Sequence, residues 1–103
     1  MINEYIRYRI APERVAAFLA AYDEAQASLR ASPHCLGYEL SRCTDDPQYF
    51  ILKIQWDSAD GHLEGFRKGP QFPPFLRAVR PFVGDIEEMR HYDVTRVQWA
   101  RQP

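Results

Sequence analysis

The sequence has no excess of charge of either sign, no long apolar run and only two cysteines. Its 103 residues include 13 lysines and arginines against 14 aspartates and glutamates, for a formal net charge of −1. A nucleic-acid-binding protein needs a basic excess to neutralise phosphates, so this composition disfavours DNA or RNA as the main partner. No apolar stretch approaches the roughly 20 residues that span a bilayer, which predicts no membrane partner. The first residues lack the basic and apolar regions of a secretory signal, so we expect a cytoplasmic location.

The cysteines and histidines form no recognisable ligand pattern. Cys35 and Cys43 lie on one predicted strand, and at about 3.3 Å per residue they are roughly 26 Å apart, too far for a disulfide. The three histidines are not closely paired in the sequence and the carboxylates are scattered, which predicts no metal site. No glycine-rich loop leads from a strand into a helix, so a nucleotide fingerprint is also missing. We therefore expect free thiols and no cofactor.

The stretch Tyr49–Trp56 is the clearest strand of the chain, and its two faces differ. At a period of two, one face is wholly apolar and consists of Phe50, Leu52, Ile54 and Trp56. The opposite face is mixed and consists of Tyr49, Ile51, Lys53 and Gln55. This pattern predicts that the apolar face lines a core or a small-molecule pocket, and that the mixed face is half-buried against something more polar.

Periodicity predicts the other elements. Alternation predicts strands over residues 2–10, 36–42 and 85–92, and spacings of three and four predict helices over 12–30, 58–67 and 72–82. The long helix has an apolar stripe made of Val15, Phe18, Leu19, Tyr22, Gln26 and Leu29. Alternation over residues 36–42 directs one set of side chains to the core, namely Leu36, Tyr38 and Leu40. Residues 85–92 alternate too poorly for their inward face to be assigned.

The order of these elements is β-α-β-β-α-β. It predicts a ferredoxin-like α+β fold, in which a four-stranded antiparallel sheet has both helices on one face. We expect a single domain over residues 1–92 and a tail over residues 93–103 that packs on the domain or on a partner subunit, because the tail contains Trp99.

The second face of the predicted sheet indicates a homodimer. It combines large side chains with polar and charged ones, namely Tyr5, Tyr49 and Ile51, with Met89 if its strand turns that way, together with Arg7, Arg9, Lys53, Gln55 and Glu39. Such a face is too rich in large side chains to lie bare and too charged for the core of a monomer. Face-to-face packing against a second copy of the sheet accommodates both features.

An ordered set of short motifs resembles the antibiotic biosynthesis monooxygenase family, a group of dimeric α/β-barrel proteins. The set consists of Tyr8-Arg9-Ile10-Ala11-Pro12 with Phe18 in the following helix, Gly37-Tyr38-Glu39-Leu40, Asp46-Pro47, Trp56-Asp57-Ser58, and Phe72. The resemblance covers about residues 2–92 and is more specific for the fold than for the reaction. It implies oxygenation of a phenol, anthrone or quinol by dioxygen with neither metal nor flavin, because the deprotonated substrate supplies the electrons.

The resemblance also extends to haem-degrading members of the superfamily, but two positions differ. That branch has an asparagine in the first strand and a haem-ligating histidine in the last helix, and the corresponding residues here are Ile6 and Leu76. Haem binding and breakdown is therefore the least favoured reading. The hydroxylating branch often has polar donors near the tryptophan, whereas the neighbouring residue on the same face here is Ile54.

The reaction that the resemblance implies requires an aromatic-lined cleft with few polar groups. We expect the substrate to be bound by Phe18, Tyr22, Phe50, Leu52, Phe66, Phe72, Phe75 and Leu76. The candidate catalytic residues are Trp56, whose indole N–H can donate to a substrate oxygen, and His62 or Tyr8 as proton acceptor or donor. A structural role competes with each of these assignments: it is as common as the functional one for a tryptophan such as Trp56, and more common for a histidine or tyrosine such as His62 or Tyr8.

Two further functions therefore stay open beside the monooxygenase. The first is a non-catalytic dimeric module, which binds a small apolar ligand or serves as a stable pairing domain, and which a closed core around Trp56 would favour. The second is the haem-binding protein, which a haem titration would identify.

Overall fold

A computed structural model of the protein describes all 103 residues and has the predicted order of elements. The strands and helices are β1 (Ile2–Arg9), α1 (Val15–Ala31), β2 (Cys35–Arg42), β3 (Tyr49–Trp56), α2 (Phe72–Val79) and β4 (Ile86–Asp93). Short 3₁₀ turns precede α1 and follow α2, and a π-helical segment, Gly61–Phe66, follows β3. The ferredoxin-like α+β fold is thus confirmed.

The four strands form one antiparallel sheet in the order β2-β3-β1-β4. In the central pair, Ile6 lies opposite Leu52 and Tyr8 lies opposite Phe50. These residues share the inner face of the sheet, and each is no more than 5% exposed. The apolar face predicted for β3 is therefore confirmed as the floor of the core, with Trp56 completely buried at its end.

Helix α1 covers the sheet with a stripe that differs from the predicted one at two positions. The stripe consists of Val15, Phe18, Tyr22, Ala25 and Leu29. Leu19 is 41% exposed. Gln26 accepts a hydrogen bond from the Tyr38 hydroxyl at 2.8 Å instead of packing in the core. The physical reason is that a stripe at spacings of three and four holds one residue per turn, and Ala25 permits the closest approach of the helix to the sheet.

Two bulges change the faces that alternation predicts for β2 and β4. In β2 the register shifts between Cys35 and Gly37, so Leu36 is 53% exposed while Cys35 packs against the core. The prediction that Leu36 faces the core is therefore wrong. In β4 the register shifts near its start, and Met89 lies opposite Ile6 on the inner face, which alternation had left unassigned. An extra residue in one strand reverses the alternation beyond it, which explains the error at Leu36 and the poor alternation of β4.

The outer face of the sheet is not covered by any element of the chain. Its aromatic residues contact one another and nearby cations, since the rings of Tyr5 and Tyr92 meet at 5.5 Å and the guanidinium of Arg7 lies 5.8 Å from the ring of Tyr49. Both cysteines are free. No helix in the protein has the length and the apolarity needed to cross a membrane.

The tail after β4 has no regular structure, and its large side chains are exposed. Val97 is 80% exposed and Trp99 is 75% exposed. The Trp99 ring contacts only the guanidinium of Arg101, at 4.7 Å from the ring centroid. The tail does not pack on the domain of its own chain through Trp99.

We expect Phe18→Ala to lower the free energy of unfolding by about 3–5 kcal/mol, because the fully buried ring lies within 5.3 Å of the rings of Tyr8, Tyr22, Phe50 and Phe82. Urea denaturation followed by circular dichroism measures the change. Leu19→Ala is the matched control, since Leu19 is the exposed neighbour on the same helix and its loss should cost well under half as much. Equal losses in the two variants would contradict this packing of α1.

Candidate functional site

A cavity of about 220 Å³ lies between the inner face of the sheet and the chain that follows β3. Its floor comes from β1 and β3 and consists of Glu4, Ile6, Tyr8, Ile54 and Trp56. The rest of its wall comes from Tyr22, His62, Phe66, Arg67, Phe72, Phe75, Leu76, Val79, Val83, Ile86 and Met89. Most of the wall is apolar, and the polar groups are concentrated at Glu4 with His62 and at Tyr8 with Tyr22.

The residues predicted from the sequence divide into two groups around this cavity. Those on its wall are Tyr8, Trp56, His62, Tyr22, Phe66, Phe72, Phe75 and Leu76. Phe18, Phe50 and Leu52 are not on this wall: Phe18 and Phe50 pack in the core beneath α1 with their rings 5.0 Å apart, and Leu52 borders a separate cavity between α1 and β2. The cavity wall also includes Ile6 and Leu76, the two positions at which the sequence departs from the pattern expected of haem-degrading proteins.

Glu4 is the centre of the polar end of the cavity, and its position there was not predicted. Its side chain is 3% exposed, and its carboxylate accepts a hydrogen bond from the Trp56 indole N–H at 3.1 Å. The donor that we expected Trp56 to offer to a substrate is therefore used by Glu4. The available signal in the sequence was a single acid on the otherwise apolar face of β1, four residues before Tyr8.

His62 lies beside this carboxylate because of the local structure after β3. Ser58 caps the segment, since its hydroxyl accepts a hydrogen bond from the Gly61 N–H at 2.9 Å. The Arg67 N–H then donates to the His62 carbonyl at 3.0 Å, which is the five-residue spacing of a π-helix, a conformation that is frequent at functional sites. As a result, His62 and Phe66 both point inward and contact Trp56 at centroid distances of 4.7 and 4.9 Å.

The imidazole of His62 is buried without a hydrogen-bond partner. Its side chain is 4% exposed, and its Nε2 lies 3.5 Å from the Glu4 Oε2 without hydrogen-bond geometry. Burial lowers the pKa of His62 below its ordinary value of 6.5; His91 and Arg67 lower it further, and Glu4 opposes them. His62 is therefore a neutral imidazole at neutral pH, held next to a carboxylate.

A second histidine completes the polar end. His91 on β4 lies directly opposite Glu4 in the antiparallel register, and its Nε2 is 3.3 Å from the Glu4 Oε2. The rings of His62 and His91 are 5.0 Å apart. A second cavity, of about 270 Å³, borders both histidines. The two histidines that are far apart in the sequence are thus neighbours in the fold.

Two glycines fix the position of the π-helical segment. A Cβ atom on Gly61 would lie 1.9 Å from the Asp57 carboxylate, and one on Gly65 would lie 2.3 Å from the His34 ring. The His34 Nδ1 and the Asp57 Oδ2 are themselves 2.9 Å apart, and this hydrogen bond lowers the pKa of Asp57. The absence of side chains on Gly61 and Gly65 lets this pair pack directly on the segment that carries His62.

The other polar group of the cavity is a pair of tyrosines. The hydroxyls of Tyr8 and Tyr22 are joined by a short hydrogen bond. Burial raises the pKa of Tyr8 to about 12 and also raises the pKa of Tyr22. Both hydroxyls therefore stay protonated at neutral pH, and since one hydrogen bond uses only one of the two protons, the pair has a proton left to donate.

Arg67 is the one cationic side chain on the cavity wall. It is exposed, its guanidinium lies 5.9 Å from the centroid of the Phe72 ring, and its Nη2 is 3.9 Å from the Met89 sulfur. The neighbouring Lys68 is not on the cavity wall. Its Nζ lies 2.9 Å from the Glu64 Oε2 on the surface.

Comparison with known proteins identifies relatives of the same fold. The family model for antibiotic biosynthesis monooxygenase matches residues 1–78. The Bacillus subtilis (strain 168) protein YczJ, which is uncharacterised, is 20% identical over 92 residues, which are 89% of this chain and 97% of that protein.

Two solved structures are also similar. One is a Bordetella bronchiseptica protein that carries the same family designation, with a TM-score of 0.73 and 24% identity over 91% of this chain and 96% of that one. The other is Rv0793 from Mycobacterium tuberculosis, with a TM-score of 0.70 and 18% identity over 97% of this chain and 98% of that one. At these identities the structural likeness concerns the fold alone.

We expect His62 to make the protein less stable in mild acid. Its pKa is lowered in the folded state, so below about pH 6.5 the unfolded chain binds more protons than the native one, and the free energy of unfolding falls by up to about 1.4 kcal/mol per pH unit. Urea denaturation at several pH values between about 7.5 and 5 measures this slope. The slope should be shallower in His62→Gln, which retains His34 and His91. Identical slopes in the two proteins would show that His62 titrates normally.

Proposed function

The chain belongs to the antibiotic biosynthesis monooxygenase family, and we propose that it oxidises a single-ring phenol or hydroquinone with dioxygen in the cavity between Glu4 and Tyr8. The observation that carries this proposal is the buried pair of Glu4 and His62 at one end of an apolar cavity, with the tyrosine pair also on its wall. An apolar cavity with a few convergent polar groups, one of which has a perturbed pKa, is the usual form of an active site.

The volume of the cavity supports a small substrate. A cavity of about 150 Å³ holds benzene, and drug-sized ligands occupy roughly 300 Å³ or more. A cavity of about 220 Å³ therefore suits one substituted aromatic ring better than the fused rings of an anthrone. The rings of Phe66, Phe72 and Phe75 supply apolar surface for such a substrate and for dioxygen.

His62 is the proton acceptor that the electrostatics favour. The tyrosine hydroxyls have raised pKa values and remain donors, whereas the His62 imidazole is neutral and has a free lone pair. The Glu4 carboxylate, 3.5 Å away, stabilises the imidazolium that forms when the proton arrives. The Trp56 N–H and the register of β1 against β3 hold that carboxylate in place.

The proposed reaction balances without a further reductant. Transfer of the phenol proton to His62 leaves an electron-rich anion, which gives electrons to dioxygen and forms a carbon–oxygen bond at the ring. Loss of the proton from that ring carbon then breaks the oxygen–oxygen bond. One oxygen atom stays as the new carbonyl and the other leaves as water, so that a phenol and dioxygen give a quinone and water. The substrate loses four electrons, which dioxygen accepts.

The tyrosine pair has a complementary role at the substrate. The negative charge of the deprotonated ring is spread over its oxygen, and a donor held in a dry cavity stabilises such a charge more strongly than water does. Tyr8 and Tyr22 keep one proton available for this purpose. Glu4 and Tyr8 are four residues apart on one face of β1, so their Cα atoms are separated by about 13 Å, and a single ring with its substituents fits between the two groups.

We expect Glu4→Gln to lower kcat/KM for oxygen consumption by about 100-fold or more, because the amide cannot stabilise the imidazolium. The measurement is oxygen uptake over a panel of substituted phenols and hydroquinones, with a chelator present and no added cofactor. Glu64→Gln is the matched control, since Glu64 is an exposed carboxylate on the same side of the fold and pairs only with Lys68.

His62→Gln should reduce oxygen uptake as much as Glu4→Gln if the two residues act as a unit. Uptake that is unchanged in both variants would refute these residues as the proton acceptor while leaving the reaction intact. Substrate binding without uptake by any member of the panel would instead support the non-catalytic binding module.

We also propose that the outer face of the sheet packs against a second copy of the chain. Its side chains are large and half-buried although nothing in the chain covers them, as at Tyr5, Tyr49 and Ile51. Acidic and basic groups alternate across the face, with Arg7 near Glu87 at 3.9 Å, so two copies related by a two-fold axis can pair opposite charges. The exposed Trp99 of the tail offers a further apolar contact for the partner.

We expect the wild-type chain to sediment as a dimer and Ile51→Glu to sediment as a monomer, because the new carboxylate would be buried in the centre of the paired faces. Analytical ultracentrifugation measures the mass. Leu63→Glu is the control, since Leu63 is 49% exposed on the π-helical segment, away from that face. A monomeric wild type, or a dimer that Ile51→Glu leaves intact, would argue against this interface.

A further inference from the structure

Glu4, His62 and His91 bring three potential metal ligands to one point, although they come from three separate elements. The Glu4 Oε2 lies 3.5 Å from the His62 Nε2 and 3.3 Å from the His91 Nε2. All three ligand atoms lie within 4.8 Å of one another. The antiparallel pairing of β1 with β4 fixes Glu4 opposite His91, and the π-helical segment brings His62 over them.

These distances match the spacing of ligand atoms around a tetrahedrally coordinated metal ion. Zinc binds imidazole nitrogen and carboxylate oxygen at about 2.0–2.2 Å, so two ligand atoms at a tetrahedral angle are roughly 3.3–3.6 Å apart. Both distances from the Glu4 oxygen fall within this interval. The third edge, between the two nitrogens, is at most 4.8 Å, and its His91 end is the more exposed one, on an edge strand and 40% exposed.

An independent observation points to a ligand at this position. The side chain of His62 is 4% exposed, yet neither its Nδ1 nor its Nε2 has a hydrogen-bond partner. Leaving a buried polar atom unpaired costs about 1–3 kcal/mol, so native structures rarely tolerate it without a reason. A cation between the Nε2 and the Glu4 carboxylate gives that nitrogen a partner and neutralises the charge of the buried carboxylate.

We propose that Glu4, His62 and His91 form a site for a divalent transition-metal ion, with two imidazoles and one carboxylate as ligands. Two histidines and one carboxylate suit zinc and its neighbours in the first transition row, whereas magnesium and calcium prefer oxygen ligands alone. The two cavities that meet at His62 leave a fourth position open for water, and the exposed edge of His91 provides the entry path. The positively charged side chain of Arg67 lies near this position and repels a cation bound there.

The metal site goes beyond the proposed oxygenase function and can be tested apart from it. A bound ion occupies the carboxylate and the imidazole that otherwise accept the proton from the phenol. Metal binding and proton acceptance at His62 therefore exclude each other, so zinc should inhibit any turnover at this site. Binding itself is measured without a substrate, and a failure of the oxygenase proposal leaves the metal result unaffected.

The experiment is isothermal titration of the chelator-treated full chain with zinc chloride, repeated with cobalt chloride to follow the visible absorption of a four-coordinate cobalt ion. We expect one ion per chain in the wild type. His91→Gln and Glu4→Gln should each weaken the affinity by about 10–100-fold or more, because each removes a ligand. His91 is partly exposed, so its variant keeps the buried core intact.

Glu64→Gln and Cys43→Ser are the matched controls, because they remove an exposed carboxylate and a thiol that are outside the cluster. Both controls should bind zinc as the wild type does. Absence of binding in the wild type would overturn the proposal. Affinity that is lost in Glu64→Gln or Cys43→Ser, but retained in His91→Gln, would assign the ion to another place on the surface and would overturn the proposal equally.

Discussion

The carboxylate of Glu4 is the group on which the arrangement of the site depends. A charge that is almost completely removed from water is costly unless it is paired or hydrogen-bonded, so its neighbours must be held in defined positions. Trp56 from β3 donates a hydrogen bond to it, and His62 and His91 approach it from two other elements. One buried carboxylate is therefore in contact with residues from the centre of the sheet, from its edge strand β4 and from the segment after β3.

The fold was predictable from the sequence to the extent that local periodicity determines it. The apolar faces of β1 and β3 and the order of the elements follow from alternation and from helix spacing. Periodicity fails where a bulge changes the register: it gives the wrong face for Leu36 in β2 and no clear face for β4. Bulges are properties of a pair of strands, so the pattern of one strand does not contain them.

The candidate site was predictable only in part, for a related reason. The aromatic wall follows from composition, and most of its members were identified. The polar centre depends on long-range pairing: His91 becomes a neighbour of Glu4 only through the register of β1 with β4, and His62 only through a π-helical turn. Three such residues look unrelated in the sequence. The sequence also gives no reason to single out Gly61 and Gly65. They matter because the side chains of Asp57 and His34 lie so close that a Cβ atom at either position would clash with them.

The cavity has a floor and a roof of different origin, and this division has a consequence for how such a protein can diversify. Glu4, Tyr8 and Trp56 belong to the two central strands, whose pairing fixes them, and His62 lies at the start of the segment that follows β3. Most of the apolar roof belongs to the continuous stretch after His62, residues 66–83, which contains short helices and turns. Substitutions or length changes in that stretch can reshape the space above a constant reactive floor. Ligand preference and chemistry therefore depend on separate parts of the chain, so substitutions can change the ligand preference while the chemistry is preserved.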